Sequence, residues 1–147
     1  MIVRIKLLNA HAIEPIQRDG DSGADLHATH DVDVLPGERE KVRFGVAFEI
    51  PDGWGGFVLP RSGLASSGRL ALTGVVDCAY RGEVCATLYN STRETWHVKR
   101  GDRVAQLVIM LVPRVTFDTC TELSETDRGA NGFGSSGVGR RNSGNGG

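Results

Sequence analysis

Between positions 41 and 50 every second residue is apolar: Val42, Phe44, Val46, Phe48 and Ile50 alternate with Arg43, Gly45, Ala47 and Glu49. Successive side chains of a strand point to opposite faces, so this period of two predicts one strand laying an unbroken apolar row on a core. Pro51-Asp52-Gly53 then ends it with turn chemistry. Similar short runs, rich in β-branched and aromatic residues, predict strands over residues 3–8, 25–28, 57–59, 83–90, 104–112 and 115–121. Twenty glycines punctuate these runs, a spacing that favours many strands and tight turns over helices. Only residues 62–67 read as a helix, with Ser62 as cap, Leu64 and Ala65 as helix formers and Gly68 as stop. The expected fold is all-β, a compact jelly-roll-like barrel with one short helix.

At 147 residues the chain has the length of one domain that buries its own core. Beyond Leu123 hydrophobic residues almost vanish and Gly, Ser, Asn and Arg take over. Such a composition cannot build a core. The expected organisation is therefore a β domain over residues 1–123 and a mobile, glycine-rich C-terminal arm over 124–147.

Several function classes drop out. Seventeen basic against 18 acidic residues leave a formal net charge of -1, with no electrostatic footprint for nucleic acid or a membrane surface. The longest apolar run, residues 104–112, is interrupted by Gln106 and is too short to span a bilayer. The N-terminal stretch carries Arg4 and Lys6 and lacks a small-residue cleavage site, so it does not read as a signal peptide and a cytoplasmic location is expected. Cys78, Cys85 and Cys120 are an odd number without a close pair, which argues against a disulfide framework or structural zinc and predicts buried or idle thiols.

Four segments carry polar chemistry. Pro60-Arg61-Ser62-Gly63 lies at a strand-to-helix turn, where free backbone N–H groups, a hydroxyl and a guanidinium can converge on a phosphate; it also reads as a plain capping turn with a solvated arginine. Gly74-Val75-Val76-Asp77 leads into Tyr80-Arg81-Gly82. An aspartate held at the mouth of a hairpin there can deprotonate water, and equally can be a turn residue satisfied by local amides, with Tyr80 as half-buried packing. Gly101-Asp102-Arg103-Val104-Ala105-Gln106-Leu107 buries a carboxamide in an apolar strand, which costs stability unless Gln106 finds partners or sits on a solvated edge. The segment from Arg128 to Gly137 gathers a cation, Phe133 and the hydroxyls of Ser135 and Ser136 among glycines. That composition can wrap a nucleotide or be a disordered tail. No Gly-Lys-Ser/Thr follows, so it is not a P-loop.

In order and spacing these segments, preceded by Ser22-Gly23-Ala24-Asp25-Leu26, resemble the five motifs of the trimeric dUTPase family (β-clip fold), over nearly everything between Asp21 and Gly137. One motif can arise by chance; five in order within a chain of this length do not. The resemblance implies a homotrimeric, magnesium-dependent dUTP diphosphatase that forms dUMP and pyrophosphate. It implies Asp77 as general base for water attacking the α-phosphorus, and Arg61, Ser62 and Gly63 as phosphate grips. Val76 and Tyr80 would hold the uracil and deoxyribose, with Phe133 stacking on the base. Arg128, Gly134, Ser135 and Ser136 would close over the β- and γ-phosphates from a third subunit. No direct protein ligand to Mg2+ is implied; Asp25 and Gln106 would act through water. Two departures stand out: Ala71, where many bacterial relatives carry an asparagine that helps hold uracil, and Asn131 in place of an arm glycine. The rivals on the same scaffold are a dCTP deaminase-related enzyme and a regulatory binding protein.

Overall fold

The computed structural model describes residues 1–72 and 74–131, and the chain divides into two units, Met1–Arg114 and Val115–Gly147. The first unit holds eleven strands, all paired antiparallel, and one short helix. In chain order these are β1 (Arg4–Leu7), β2 (Ala24–His27), β3 (Val32–Val34), β4 (Arg39–Arg43), β5 (Val46–Glu49) and β6 (Trp54–Pro60). There follow α1 (Ser62–Ser66), β7 (Arg69–Ala71), β8 (Gly74–Val76), β9 (Cys85–Asn90), β10 (Trp96–Val98) and β11 (Arg103–Leu111). They form a four-stranded sheet in the order β2-β11-β6-β8, a three-stranded sheet β4-β9-β7, and the pairs β1-β5 and β10-β3. The all-β class holds, with the ladders distributed over four sheets instead of closing into one barrel among the described residues.

The alternating run at 41–50 delivers its apolar row as expected: Val42, Phe44, Val46, Phe48 and Ile50 are all buried. It is, however, two strands and not one. The chain leaves the β4 ladder after Arg43 and enters the β1-β5 pair at Val46. The corner is Gly45, with φ +65, a conformation that side-chain-bearing residues rarely adopt. A Cβ there would come within 2.7 Å of Asn9 Nδ2 and 2.9 Å of both the Ala12 and Thr29 side chains. The corner's backbone is fully used, since Gly45 N–H donates to Glu83 Oε1 and its carbonyl accepts from Leu8 N–H.

Asn90, at the end of β9, is wholly buried with its polar atoms satisfied. Its Nδ2 donates to the carbonyls of Val34 and Glu94, each at 2.8 Å, and its Oδ1 accepts from Thr92 N–H and Thr92 Oγ1–H. One side chain thus closes the 90–94 turn and ties it to β3.

Four three-residue strands, β3, β7, β8 and β10, were not expected from the sequence, being too short to show alternation. Conversely, residues 115–121 form no strand. A run with strand propensity needs a ladder partner to become one, and within the described part of the second unit, residues 115–131, there is none. That unit shows only turns, closed by Gly129 N–H to Thr126 O and Asn131 N–H to Arg128 O. Phe133, Gly134, Ser135 and Ser136 lie outside the described residues. All three thiols are free: Cys78 and Cys85 are half-buried and Cys120 is exposed.

Candidate active site

The four-stranded sheet gathers the polar residues of three motifs at one place. On β2, Leu26 faces the core, so Asp25 and His27 share the opposite face. On β11, Gln106 is the ladder partner of Asp25, and Arg103 that of His27. Two residues three apart on a regular strand point to opposite sides. Here the register slips between Arg103 and Ala105, and this bulge turns Arg103 onto the face of Gln106. β6, the other neighbour of β11, ends at Pro60 and delivers Arg61 to the same face.

Asp25 clamps two guanidiniums: its Oδ1 lies 2.8 Å from Arg61 Nε and its Oδ2 3.1 Å from Arg103 Nη1. Arg61 Nη1 also donates to the Arg103 carbonyl at 3.2 Å. Arg61 is therefore held through both Nε and Nη1, leaving its remaining N–H donors for a ligand. Each Asp25 oxygen keeps lone-pair capacity for a water.

Gln106 lies on a central strand, not a solvated edge, and its Nε2 donates to Pro60 O at 3.0 Å. Its Oε1 then stands over Gly23, where a Cβ would come within 2.7 Å of it, so a side chain at this glycine of the first motif would displace the carboxamide of the fourth. With Arg18 and Ser62 these residues line a cleft of ≈ 340 Å³. His27 Nδ1 is buried beside it without a hydrogen-bond partner among the described residues. Burial pushes the His27 pKa below its usual value; Asp25 pulls it up, and Arg103 and Arg61 push it down further.

The helix cap lies one residue earlier than expected. Arg61 is the N-cap, with φ -86 and ψ 132, and no side chain caps α1. Ser62 is thus the first helical residue and exposed, its hydroxyl not spent on capping.

Asp77 and Tyr80 lie elsewhere. The segment from Asp77 to Gly82 is not the tip of a hairpin: β8 pairs with β6, whereas β9 pairs with β4 and β7, so the turn crosses between sheets. Tyr80 N–H closes it onto Asp77 O at 3.0 Å, and Tyr80 Oη–H donates to Glu83 O at 3.1 Å. The ring lies against Gly82, where a Cβ would collide with Tyr80. Arg81 Nη1 donates to the carbonyls of Cys78 and Tyr80. No donor among the described residues reaches the exposed Asp77 carboxylate, which lines a second cleft of ≈ 350 Å³ beside Asp52, Trp54 and Phe57. Val76 and Tyr80 line a third, with Gly74 and Lys41.

Asp77 and Arg61 of one chain are far apart. Val76 is opposite Gly56 on β6, which places Asp77 beside Gly55, six residues before Arg61. At about 3.3 Å per residue that is roughly 20 Å. Arg128 lies in the second unit, its Nε donating to Asn131 O at 3.1 Å. Asn131 does not adopt positive φ, so it carries no left-handed strain where an arm glycine is usual. Ala71 is buried in β7 opposite Leu88.

A small all-β protein in which strand ends focus guanidiniums, a carboxamide and a hydroxyl on an open cleft is of the anion-binding class. The dUTPase family model matches residues 9–137. A deoxyuridine 5'-triphosphate nucleotidohydrolase of Cutibacterium acnes is 46% identical over 123 residues, 81% of each chain. One from Thermobifida fusca is 45% identical over 142 residues, 92% of this chain and 79% of the relative. Among solved structures, a variant dUTPase of Staphylococcus bacteriophage 80alpha with dUpNHpp aligns at a TM-score of 0.83 and 28% identity, covering 93% of this chain and 99% of that one. A phage phi11 dUTPase in which a structural Mg(II) ion is coordinated shares the fold, at a TM-score of 0.80 and 23% identity over 85% of this chain and 100% of that one. The chain belongs to the dUTPase family.

Proposed function

We propose that this protein hydrolyses dUTP to dUMP and pyrophosphate at sites shared between the chains of a homotrimer. Family membership supports the activity, and does not favour the dCTP deaminase-related alternative. The observation that carries the shared site is the separation of Asp77 from Arg61. A base working through one water must lie within about 3 Å of it, and that water as close to phosphorus; a backbone separation of roughly 20 Å along β6 argues against both residues of one chain serving the same site. An apolar face supports association: Val75 is 64% exposed and Met110 40%, and Val75, Phe57 and Val108 are neighbours across β8, β6 and β11. An exposed apolar patch of this kind marks an interaction surface.

In the assembled site the Arg61–Ser62–Gly63 turn of one chain grips the phosphates, its guanidinium pre-set by Asp25 so that little reorganisation accompanies binding. Asp77 of a second chain accepts a proton from water as its oxygen bonds to the α-phosphorus. The bond to the bridging oxygen breaks, and pyrophosphate leaves with the electron pair. Val76 and Tyr80 hold the nucleoside, the ring closing against the deoxyribose face. The arm over 124–147, with Arg128, Phe133, Gly134, Ser135 and Ser136, closes from a third chain and excludes water.

Asp25 and Gln106 are ladder partners on one face, and one carboxylate with one carboxamide oxygen suits an ion that keeps its hydration shell. Asp25 and Gln106 would hold a magnesium ion there through water, and the ion would supply charge neutralisation on the phosphate oxygens.

The test is pyrophosphate release from dUTP, dTTP, dCTP and UTP, with magnesium and with chelator, in the native protein and in Asp77→Asn. Metal-dependent release from dUTP alone, lost in Asp77→Asn while dUpNHpp still binds, is the expected result. Ammonia from dCTP, or no release by a correctly assembled protein, would sink it.

A further inference from the structure

We infer that Arg18 is a phosphate-binding residue of the substrate site, the one cation of the cleft, among the described residues, that is free to follow its ligand; this rests on the dUTPase reading above. Three guanidiniums line the cleft, those of Arg18, Arg61 and Arg103, against the carboxylates of Asp21 and Asp25. Their sum is 3 − 2 = +1. Two of the three are anchored: Arg61 and Arg103 both lie on Asp25, and Arg61 also on the Arg103 carbonyl. Each therefore meets an anion with its charge partly compensated and its position fixed. Arg18 makes no side-chain hydrogen bond or ion pair among the described residues, Asp21 included.

Its backbone, by contrast, is well placed. Asp21 N–H donates to Arg18 O at 3.0 Å, Gln17 Nε2 donates to Asp21 O, and Gly20 takes φ 86 to complete the turn. The turn runs directly into Ser22, Gly23 and β2, so the Arg18 Cα is pinned at the rim while its long side chain keeps its freedom. A magnesium-bound triphosphate carries a charge of about −2 and more oxygens than Arg61's remaining donors can serve. A mobile fork at the rim meets that demand, and its removal would bring the lining to zero net charge.

The experiment measures kcat and KM for dUTP, and the affinity for dUpNHpp by calorimetry, in the native protein, Arg18→Gln, Arg18→Lys and Arg93→Gln. Arg93 is an exposed arginine on the β9–β10 connection and serves as control for loss of one positive charge. Expected is a KM raised roughly tenfold in Arg18→Gln with kcat falling by much less, a parallel loss of dUpNHpp affinity, and a KM less sensitive to salt. Arg18→Lys recovers part of the affinity, because charge is kept and the fork is lost. Arg18→Gln indistinguishable from the native protein, or matched by Arg93→Gln, overturns the inference while leaving the dUTPase reading intact. A native protein that neither turns over dUTP nor binds dUpNHpp overturns both.

Discussion

Replacing Asp25 by asparagine keeps the shape of the side chain and removes the charge that holds Arg61 and Arg103 together. Two charge-assisted hydrogen bonds are at stake, at 2.8 and 3.1 Å, each worth about 1.5–3 kcal/mol when buried. The side chains keep 25%, 30% and 44% of their surface exposed, so solvent screening reduces the pair to roughly 2–3 kcal/mol in all. The asparagine oxygen can still accept from one guanidinium, but its amide N–H groups then face the other, leaving two cations side by side. For a chain of this size the melting temperature should fall by about 5–10 °C. Differential scanning calorimetry of Asp25→Asn beside the native protein, each with and without millimolar pyrophosphate, measures it. Pyrophosphate should recover more stability in the variant, because an anion between the two guanidiniums replaces the missing carboxylate. Equal melting temperatures, or equal gains from pyrophosphate, would refute the argument that Asp25 is the clamp.

Asn90→Ala should cost about 2–4 kcal/mol in urea unfolding, since it removes the Asn90 donor from the Val34 carbonyl, one of two donors from the Glu94 carbonyl, and the acceptor of Thr92 N–H. Thr92→Val, which removes one of these partners only, should cost less. The pH dependence follows from His27, whose folded pKa lies below its unfolded one. Below an unfolded value of about 6.5 the unfolded chain takes up a proton that the folded chain refuses, so stability is full above that pH and falls as the pH drops toward the folded pKa. His27→Gln should flatten this part of the stability profile between pH 7 and 5, measured by urea midpoints.

The core was legible wherever a residue's environment is set by its own strand. The row from Val42 to Ile50 reads directly as a buried face, since side-chain parity is local. Parity says nothing about which strand lies alongside, so the change of sheets at Gly45 shows only as one glycine in an otherwise regular run. The site was legible by residue type and not by arrangement. Asp25, Arg61 and Gln106 could be named from their motifs, but the slip in register that brings Arg103 beside them depends on the pairing of β11 with β2. The reason for Gly23 is likewise invisible until Gln106 is folded over it. Arg18 had no motif to announce it; its only signal is seven residues of separation from Asp25 across a Gly-Asp-containing turn.

The length of β6 turns the shared-site proposal into a prediction with a count. Asp77 stands beside the start of that strand and Arg61 follows its end, so an inactive Asp77→Asn chain still offers an intact Arg61 turn, and an inactive Arg61→Gln chain an intact Asp77. If each site takes the base from one chain and the grip from another, co-refolding the two variants in equal amounts restores sites in which both residues are native. Random association gives such sites about one quarter of the time, so the mixture should regain roughly a quarter of native turnover while each variant alone remains inactive. A site held within one chain predicts no recovery at any mixing ratio. Recovery must also require exchange of chains: mixing the two folded variants should stay inactive until they dissociate, which separates complementation from residual activity of either parent.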